Sequence, residues 1–189
     1  MIHIIAGDKG KGKTKALIDK VNNEVKVVSG TVVFLDNNNK HLYELSNRVK
    51  MINCTSYGIS KLDSFTGFVR GIISQNSDIE KIYIDNFKTV AYVGESHIVE
   101  ALDEIKNISD MFNVDIVICL ATDVNDVPED CKDCVIAALY AGCRLIFQIE
   151  CGWHMYVASH FLCQSKLRET YYGDNKTKKT KDKDRTSKA

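Results

Sequence analysis

The sequence predicts an α/β fold, a three-layer sandwich built on a mostly parallel sheet. Short apolar runs rich in β-branched residues alternate along the chain with segments that repeat apolar residues at helical spacing. This alternation is typical of βαβ units, whose strands lie parallel and whose helices cover the faces of the sheet. Several predicted strands end in glycine, aspartate or threonine. Ligands bind at the carboxyl ends of such strands, so we expect the functional residues there.

Length and composition limit the classes of protein. The 189 residues are enough for one domain with a well-buried core. The formal net charge is zero, which argues against nucleic acid as a partner. Met1 leads directly into a predicted core strand, so we expect no signal peptide, and the seven cysteines fit reduced thiols. We therefore expect a cytoplasmic protein.

The first motif lies between a strand and a helix. Residues 2–6 form an apolar run typical of a buried strand, and residues 15–21 repeat apolar side chains at helical spacing. The eight residues between the strand and this run fit the pattern G-x-x-x-x-G-K-[ST] at every position: Gly7, Asp8, Lys9, Gly10, Lys11, Gly12, Lys13 and Thr14. The pattern and its flanking elements predict a nucleotide-binding P-loop and, with it, the P-loop NTPase fold.

Each part of this loop has an expected task. The glycines let backbone N–H groups turn toward phosphate oxygens, and the helix that follows adds the positive end of its dipole. Lys13 is expected to bridge the β- and γ-phosphates and so to act in catalysis. The hydroxyl of Thr14 is expected to ligate Mg²⁺.

The remaining elements follow from hydrophobic periodicity. Further strands are predicted at residues 31–35, 49–54, 79–85 and 114–120, with a short edge strand at 42–45. Helices are predicted at about 13–23, 60–73 and 95–111. Gly67 and Gly71 lie on one side of the second helix, which indicates close packing of that side against a neighbour.

The strand at 79–85 ends in Asp85, the pattern of a Walker B element. Beside the P-loop strand, this carboxylate would hold the Mg²⁺ ion or one of its waters and act in catalysis. An aspartate at a strand end also starts turns or caps helices, so the pattern alone is weak. The next residue is Asn86, whose amide cannot accept a proton from an attacking water. Either Glu95 or Asp123 supplies the base, or hydrolysis is slow.

The strand at 114–120 leads into Thr122 and Asp123. P-loop proteins often place a polar residue there to sense the γ-phosphate, and we expect Thr122 to contribute to nucleotide binding. The alternative is that both residues cap the next turn. The only proline of the chain, Pro128, marks the loop that follows.

Together these motifs resemble a small family of bacterial ATP-binding proteins often labelled "twitching motility protein PilT". The residues that carry the resemblance are 4–7, 10–15 and 17–22, Tyr57-Gly58-Ile59, Phe65 with Gly67-Phe68, 79–85, and Val127-Pro128-Glu129. It covers about residues 1–134 and implies ATP binding. With the Mg²⁺ ion expected at Thr14 and Asp85, the expected cofactors are ATP and Mg²⁺. The histidine- and glutamate-containing boxes of true pilus-retraction ATPases are not recognisable in this chain, so the resemblance implies no pilus role.

Other P-loop classes fit the sequence less well. Asp8 occupies the place of the signature lysine of deviant Walker A proteins. Nucleoside and nucleotide kinases use an arginine-rich lid, whereas the arginines of this chain are scattered. A GTPase would show the base-reading motif N-K-x-D, which neither Asn39-Lys40-His41-Leu42 nor Asn175-Lys176-Thr177-Lys178 completes.

The last third of the chain changes in composition. Residues 135–165 form an apolar C-terminal segment of the P-loop domain, which we place at 1–165, and residues 166–189 form a lysine-rich tail expected to be disordered. Within the segment, a strand is predicted at 144–150 and helices on either side of it. These helices would cover the sheet or contact a partner protein or a second copy of the chain. The uncharged stretches are too short for a transmembrane segment.

Cysteine and histidine residues near the C-terminus raise the question of a zinc site. The candidates are Cys131, Cys134, Cys143, Cys151, His154 and His160. Cys131 and Cys134 have the spacing of one ligand pair, but the other candidates do not supply a second pair at standard spacing. Buried or spectator thiols are therefore the better interpretation.

Three hypotheses of function remain. The first is a Mg-ATP-binding protein that acts as a slow ATPase or as an ATP-dependent switch. The second is a phosphotransferase that acts on a nucleoside or small metabolite. The third is a non-enzymatic interaction protein whose apolar C-terminal third docks a partner.

Overall fold

A computed structural model describes residues 1–140 and 143–145 of the chain. Seven strands form one sheet in the order β3-β2-β4-β5-β1-β6-β7. The strands are β1 (Ile2–Gly7), β2 (Thr31–Asp36), β3 (Val49–Asn53), β4 (Ile79–Ile84), β5 (Asp115–Leu120), β6 (Val135–Tyr140) and β7 (Cys143–Leu145). The first six run parallel, and β7 is antiparallel to β6. The predicted α/β fold with a mostly parallel sheet is confirmed.

Four helices connect these strands. They are α1 (Lys13–Glu24), α2 (Leu62–Gln75), α3 (Phe87–Val90) and α4 (Ile98–Phe112). None of the helices in the described part of the chain is long and apolar enough to cross a bilayer.

The core lies on both faces of the sheet because successive strand residues point to opposite sides. On one face, Ile4 of β1 and Ile84 of β4 belong to a buried cluster with residues of α2, α3 and α4. On the other face, Ile5 and Phe34 belong to a second cluster with Leu17 and other residues of α1. Helices therefore cover the sheet on both sides, which gives three layers.

Two predictions of local structure are wrong. Residues 135–140, expected in a helix, form β6, which pairs with β1 in the middle of the sheet. A short uncharged apolar run is compatible with a strand buried on both faces as well as with a helix. Here it is a strand because it pairs with the side of β1 that β5 leaves open. The expected edge strand at 42–45 is a turn, in which the N–H of Leu42 donates to the carbonyl oxygen of Asn39 and the N–H of Glu44 to that of His41.

Other predictions of the C-terminal third reach beyond the described residues. The strand expected at 144–150 overlaps β7, and its remainder lies outside the described residues. The helix expected after it, the candidate zinc ligands from Cys151 onward and the tail at 166–189 also lie there.

The expected close packing at Gly67 and Gly71 is wrong, because both glycines are exposed and a Cβ at either would meet no atom within 4 Å. We therefore expect Gly67→Ala to raise the free energy of unfolding by about 1 kcal/mol through higher helix propensity. Urea unfolding measures this change. Gly30→Ala is the matched opposite, since a Cβ there would lie 2.3 Å from the carbonyl oxygen of Asp78 and should destabilise the fold. A Gly67→Ala protein that is less stable than the wild type would contradict the assignment of an open helix surface.

Candidate functional site

The carboxyl ends of four neighbouring strands form the candidate site. Because β2, β4, β5 and β1 run parallel and lie side by side, Asp36, Asp85, Thr122 and Gly7 are found at the same edge of the sheet. Backbone hydrogen bonds tie this edge together: the N–H of Gly7 donates to the carbonyl oxygen of Thr122 at 2.8 Å, and the N–H of Asp85 to that of Leu35 at 2.9 Å. The sheet thus fixes the spacing of these residues.

The predicted P-loop is a loop between β1 and α1. Gly10 and Gly12 have φ angles of 83° and 85°, in the left-handed region that glycine adopts readily. Gly12 caps the N-terminus of α1, and the N–H of Lys11 donates to the carbonyl oxygen of Asp8 at 3.3 Å. The loop therefore curls at the positive end of α1, where N–H groups without helical partners favour an anion.

Lys13 folds back over this loop. Its Nζ donates to the carbonyl oxygen of Asp8 at 2.8 Å. Burial lowers the pKa of the Lys13 ammonium, while the carboxylates of Asp85 and Asp8 act in the opposite direction. The result is a half-buried cation at the mouth of the loop, where it can reach a bound phosphate.

A direct contact joins the first turn of α1 to the end of β4. The hydroxyl of Thr14 donates to Oδ2 of Asp85 at 2.8 Å. Asp85 is buried, with 1% of its surface exposed, although it lies 71 residues farther along the chain than Thr14. The structure therefore brings together the two residues that the sequence analysis assigns to Mg²⁺. Their donor set, a hydroxyl and a carboxylate, consists of the oxygen ligands that Mg²⁺ prefers.

The side chain of Asn86 donates hydrogen bonds to two carboxylates. Its φ angle of 49° is left-handed, and its Nδ2 donates to Oδ2 of Asp85 at 3.1 Å and to Oδ1 of Asp36 at 3.4 Å. The Asn86 amide therefore supplies hydrogen bonds to both acidic residues.

The two candidate bases, Glu95 and Asp123, already have hydrogen-bond partners. Lys88 donates to both carboxylate oxygens of Glu95, at 2.6 and 2.7 Å, and to the carbonyl oxygen of Ala121. Asp123 accepts hydrogen bonds from the N–H and the side chain of Asn125, each at 2.9 Å, and so caps the next turn. Both carboxylates also line a cavity that Asp8 of the loop borders, so they lie at the edge of the candidate site with these partners.

A cavity of about 460 Å³ opens beside the loop between β1 and α1. Its lining includes Asp8 of the loop, Thr122 and Asp123 after β5, and Glu95. Thr122 thus has two contacts with the site. Its carbonyl oxygen accepts the hydrogen bond from the N–H of Gly7, and the residue lines the cavity. The cavity is strongly acidic.

Asp36 is a further site residue, which in the sequence is only the first residue of the polar turn predicted at 36–39 after the strand at 31–35. It ends β2, is fully buried, and accepts a hydrogen bond at Oδ1 from the N–H of Asn37 at 2.6 Å. Burial raises the pKa of its carboxyl, the bond from Asn37 lowers it, and the charge of Asp85 raises it again. A signal was present in the sequence: Asp36 ends its strand in the same way as Asp85.

Burial raises the pKa of three cysteine thiols. Cys119 lies on the α1 side of β5, and burial, followed by the charge of Asp85, raises its pKa well above the usual value. Burial also raises the pKa values of Cys131 and Cys134, both of which are free. Within the described residues, the metal-ligating side chains that converge are Asp36, His41 and Asp85. None of these three cysteines belongs to that group.

Comparisons with known proteins add no relative. A scan against protein-family models finds no matching family, and a search of the curated proteins finds no match. The resemblance stated from the sequence motifs therefore remains a prediction.

Proposed function

We propose that this chain is a P-loop NTPase that binds Mg-ATP and acts as a slow ATPase or as an ATP-dependent switch. The observation that carries the proposal is the 2.8 Å hydrogen bond between Thr14 and Asp85. It links a loop of the pattern G-x-x-x-x-G-K-[ST] to an acidic strand end on a strand that is not adjacent to the loop's own strand.

Each residue has a role in this proposal. The N–H groups of the loop and of the first turn of α1 bind the phosphate oxygens, and Lys13 neutralises their charge. Thr14 and Asp85 would hold Mg²⁺, which supplies charge neutralisation at the phosphates when it is bound. Asn86 orients the Asp85 carboxylate through the hydrogen bond at 3.1 Å. The ATP assignment rests on the family resemblance and on the missing N-K-x-D motif.

Slow hydrolysis follows from the surroundings of the candidate bases. Asn86 cannot accept a proton, Glu95 is paired with Lys88, and Asp123 caps a turn. With slow hydrolysis, the bound ATP lasts longer than the conformational response to its binding. This property suits a switch.

The acidic cavity favours a second candidate function, phosphoryl transfer to a small acceptor. It borders Asp8 of the P-loop and is large enough for a small polar molecule. Carboxylates on its walls would select an acceptor that carries hydroxyl or amino groups. The scattered arginines of the chain count against this alternative.

Binding and turnover measurements on the wild-type protein test the proposal. ATP and GTP are titrated into the full chain with excess Mg²⁺ and with EDTA, and phosphate release is followed in the same samples. We expect one ATP per chain, bound more tightly with Mg²⁺, and phosphate release slower than about 0.1 per second, well below the usual turnover of enzymes. Labelled ATP with a panel of hydroxyl and amino acceptors tests the second candidate. No saturable binding of either nucleotide would contradict the proposal.

A further inference from the structure

Three side chains beside the proposed nucleotide site converge as a set of metal ligands. Asp36 at the end of β2, His41 in the turn after it and Asp85 after β4 each offer one ligand atom, and these atoms all lie within 4.8 Å of one another. We propose that they form a site for a divalent transition-metal ion that binds without nucleotide. Metal–ligand bonds of about 2.1 Å hold ligand atoms about 3 to 4 Å apart, so a small rotation of the partly exposed His41 completes the set.

An unpartnered buried oxygen points to such an ion. Asp36 is 0% exposed, and its Oδ1 accepts hydrogen bonds from Asn37 and Asn86. Its Oδ2 is buried and has no hydrogen-bond partner in the described part of the chain. A buried carboxylate oxygen without a donor is costly, and a cation held between Asp36 and Asp85 would remove that cost.

Asp85 has the capacity to serve two sites. Thr14 and Asn86 both donate to its Oδ2, at 2.8 and 3.1 Å, and the Cys119 thiol also lies against the carboxylate. A carboxylate offers about four lone-pair positions, so it can contact an ion on either side. The proposed ion therefore lies on the β2 side of Asp85, and the P-loop lies on the β1 side of it.

The ligand set favours a transition metal over Mg²⁺. Imidazole suits transition-metal ions such as Zn²⁺ and Ni²⁺, and the two carboxylates also suit Mn²⁺, whereas Mg²⁺ is bound almost entirely by oxygen. Oε1 of Glu44 lies 2.8 Å from Nδ1 of His41. A carboxylate at one ring nitrogen fixes the tautomer and makes the other nitrogen a better ligand, an arrangement common around protein-bound metals. Glu44 is thus a positioning residue for this site.

Manganese binding to the nucleotide-free protein tests the inference. The full chain is stripped with chelator and titrated with MnCl₂, and free Mn²⁺ is measured by electron paramagnetic resonance. We expect one ion per chain, with an affinity at least 10-fold lower in Asp36→Asn and in His41→Gln. Asp63→Asn and His97→Gln, which change exposed residues of the same types outside the cluster, should bind as the wild type does.

The design separates loss of the site from loss of the fold. Asn keeps the shape of Asp36 and its Oδ1 acceptor, and His41 lies in a surface turn, so both variants should show the wild-type circular dichroism spectrum. Lys13→Ala should keep its Mn²⁺ site even though its ATP affinity falls, so the two proposals fail independently. The inference is overturned if the wild type does not bind one Mn²⁺ per chain, or if either Asp36→Asn or His41→Gln binds Mn²⁺ as tightly as the wild type.

Discussion

Replacing Lys13 with alanine is expected to weaken ATP binding at least 100-fold. Its Nζ is a half-buried cation that reaches the P-loop backbone at the carbonyl oxygen of Asp8. Hydrogen bonds from a charged donor contribute about 1.5 to 3 kcal/mol each, and two phosphate contacts together account for a 100-fold change. Titration calorimetry with Mg-ATP on both proteins gives the ratio of the two affinities.

Another lysine of the same loop, Lys9, provides the control for this substitution. Lys9 is exposed and carries the same charge as Lys13, but it lies at a variable position of the motif. Lys9→Ala should therefore lower the ATP affinity by only a few-fold. Alanine is a good helix former at the first position of α1, so Lys13→Ala should unfold at the same urea concentration as the wild type. If both lysine variants lost affinity equally, net charge rather than a specific phosphate contact would explain the effect.

Replacing Gly7 with alanine is expected to destabilise the protein by about 3 kcal/mol or more. Gly7 has a φ of 151°, which L-residues rarely adopt, and it pairs with Leu139 of β6. A Cβ at this position would lie 2.5 Å from the carbonyl oxygen and 3.0 Å from the Cβ of Leu139. Since both strands are paired on each side, neither backbone can move away without loss of pairing. Urea unfolding followed by circular dichroism measures the change.

Gly10→Ala separates the clash from backbone strain. Gly10 also has a left-handed φ, 83°, but a Cβ there would meet no atom within 4 Å. Its replacement should cost about 1 kcal/mol, the usual penalty for a side chain in that conformation. Equal stability losses in the two variants would show that β6 does not approach Gly7 as closely as described.

Much of the sheet could be predicted from local sequence because its strands and helices have clear hydrophobic periods. The site could be predicted in part for the same reason: a glycine loop between a strand and a helix is a local pattern, and so is an aspartate at a strand end. The sequence motifs therefore named Thr14 and Asp85 separately, and the fold supplies their contact.

The features that sequence patterns missed depend on distant parts of the chain. Residues 135–140 are a strand because β1 has an unpaired side, and no local pattern contains that information. Asp36 is interpreted as a turn residue until Asp85 and Asn86, about 50 residues later, are brought beside it. The exposure of Gly67 likewise depends on which face of α2 meets the sheet.

The central claim is that the loop at residues 7–14 binds the phosphates of a nucleotide. Adenosine, AMP, ADP and ATP, each titrated into the wild-type protein with excess Mg²⁺, test it most directly. A phosphate cradle at the N-terminus of α1 predicts that affinity rises with each added phosphate and that ATP binds at least 100-fold more tightly than AMP. Equal affinities for AMP and ATP, or no binding of any of the four, would contradict it.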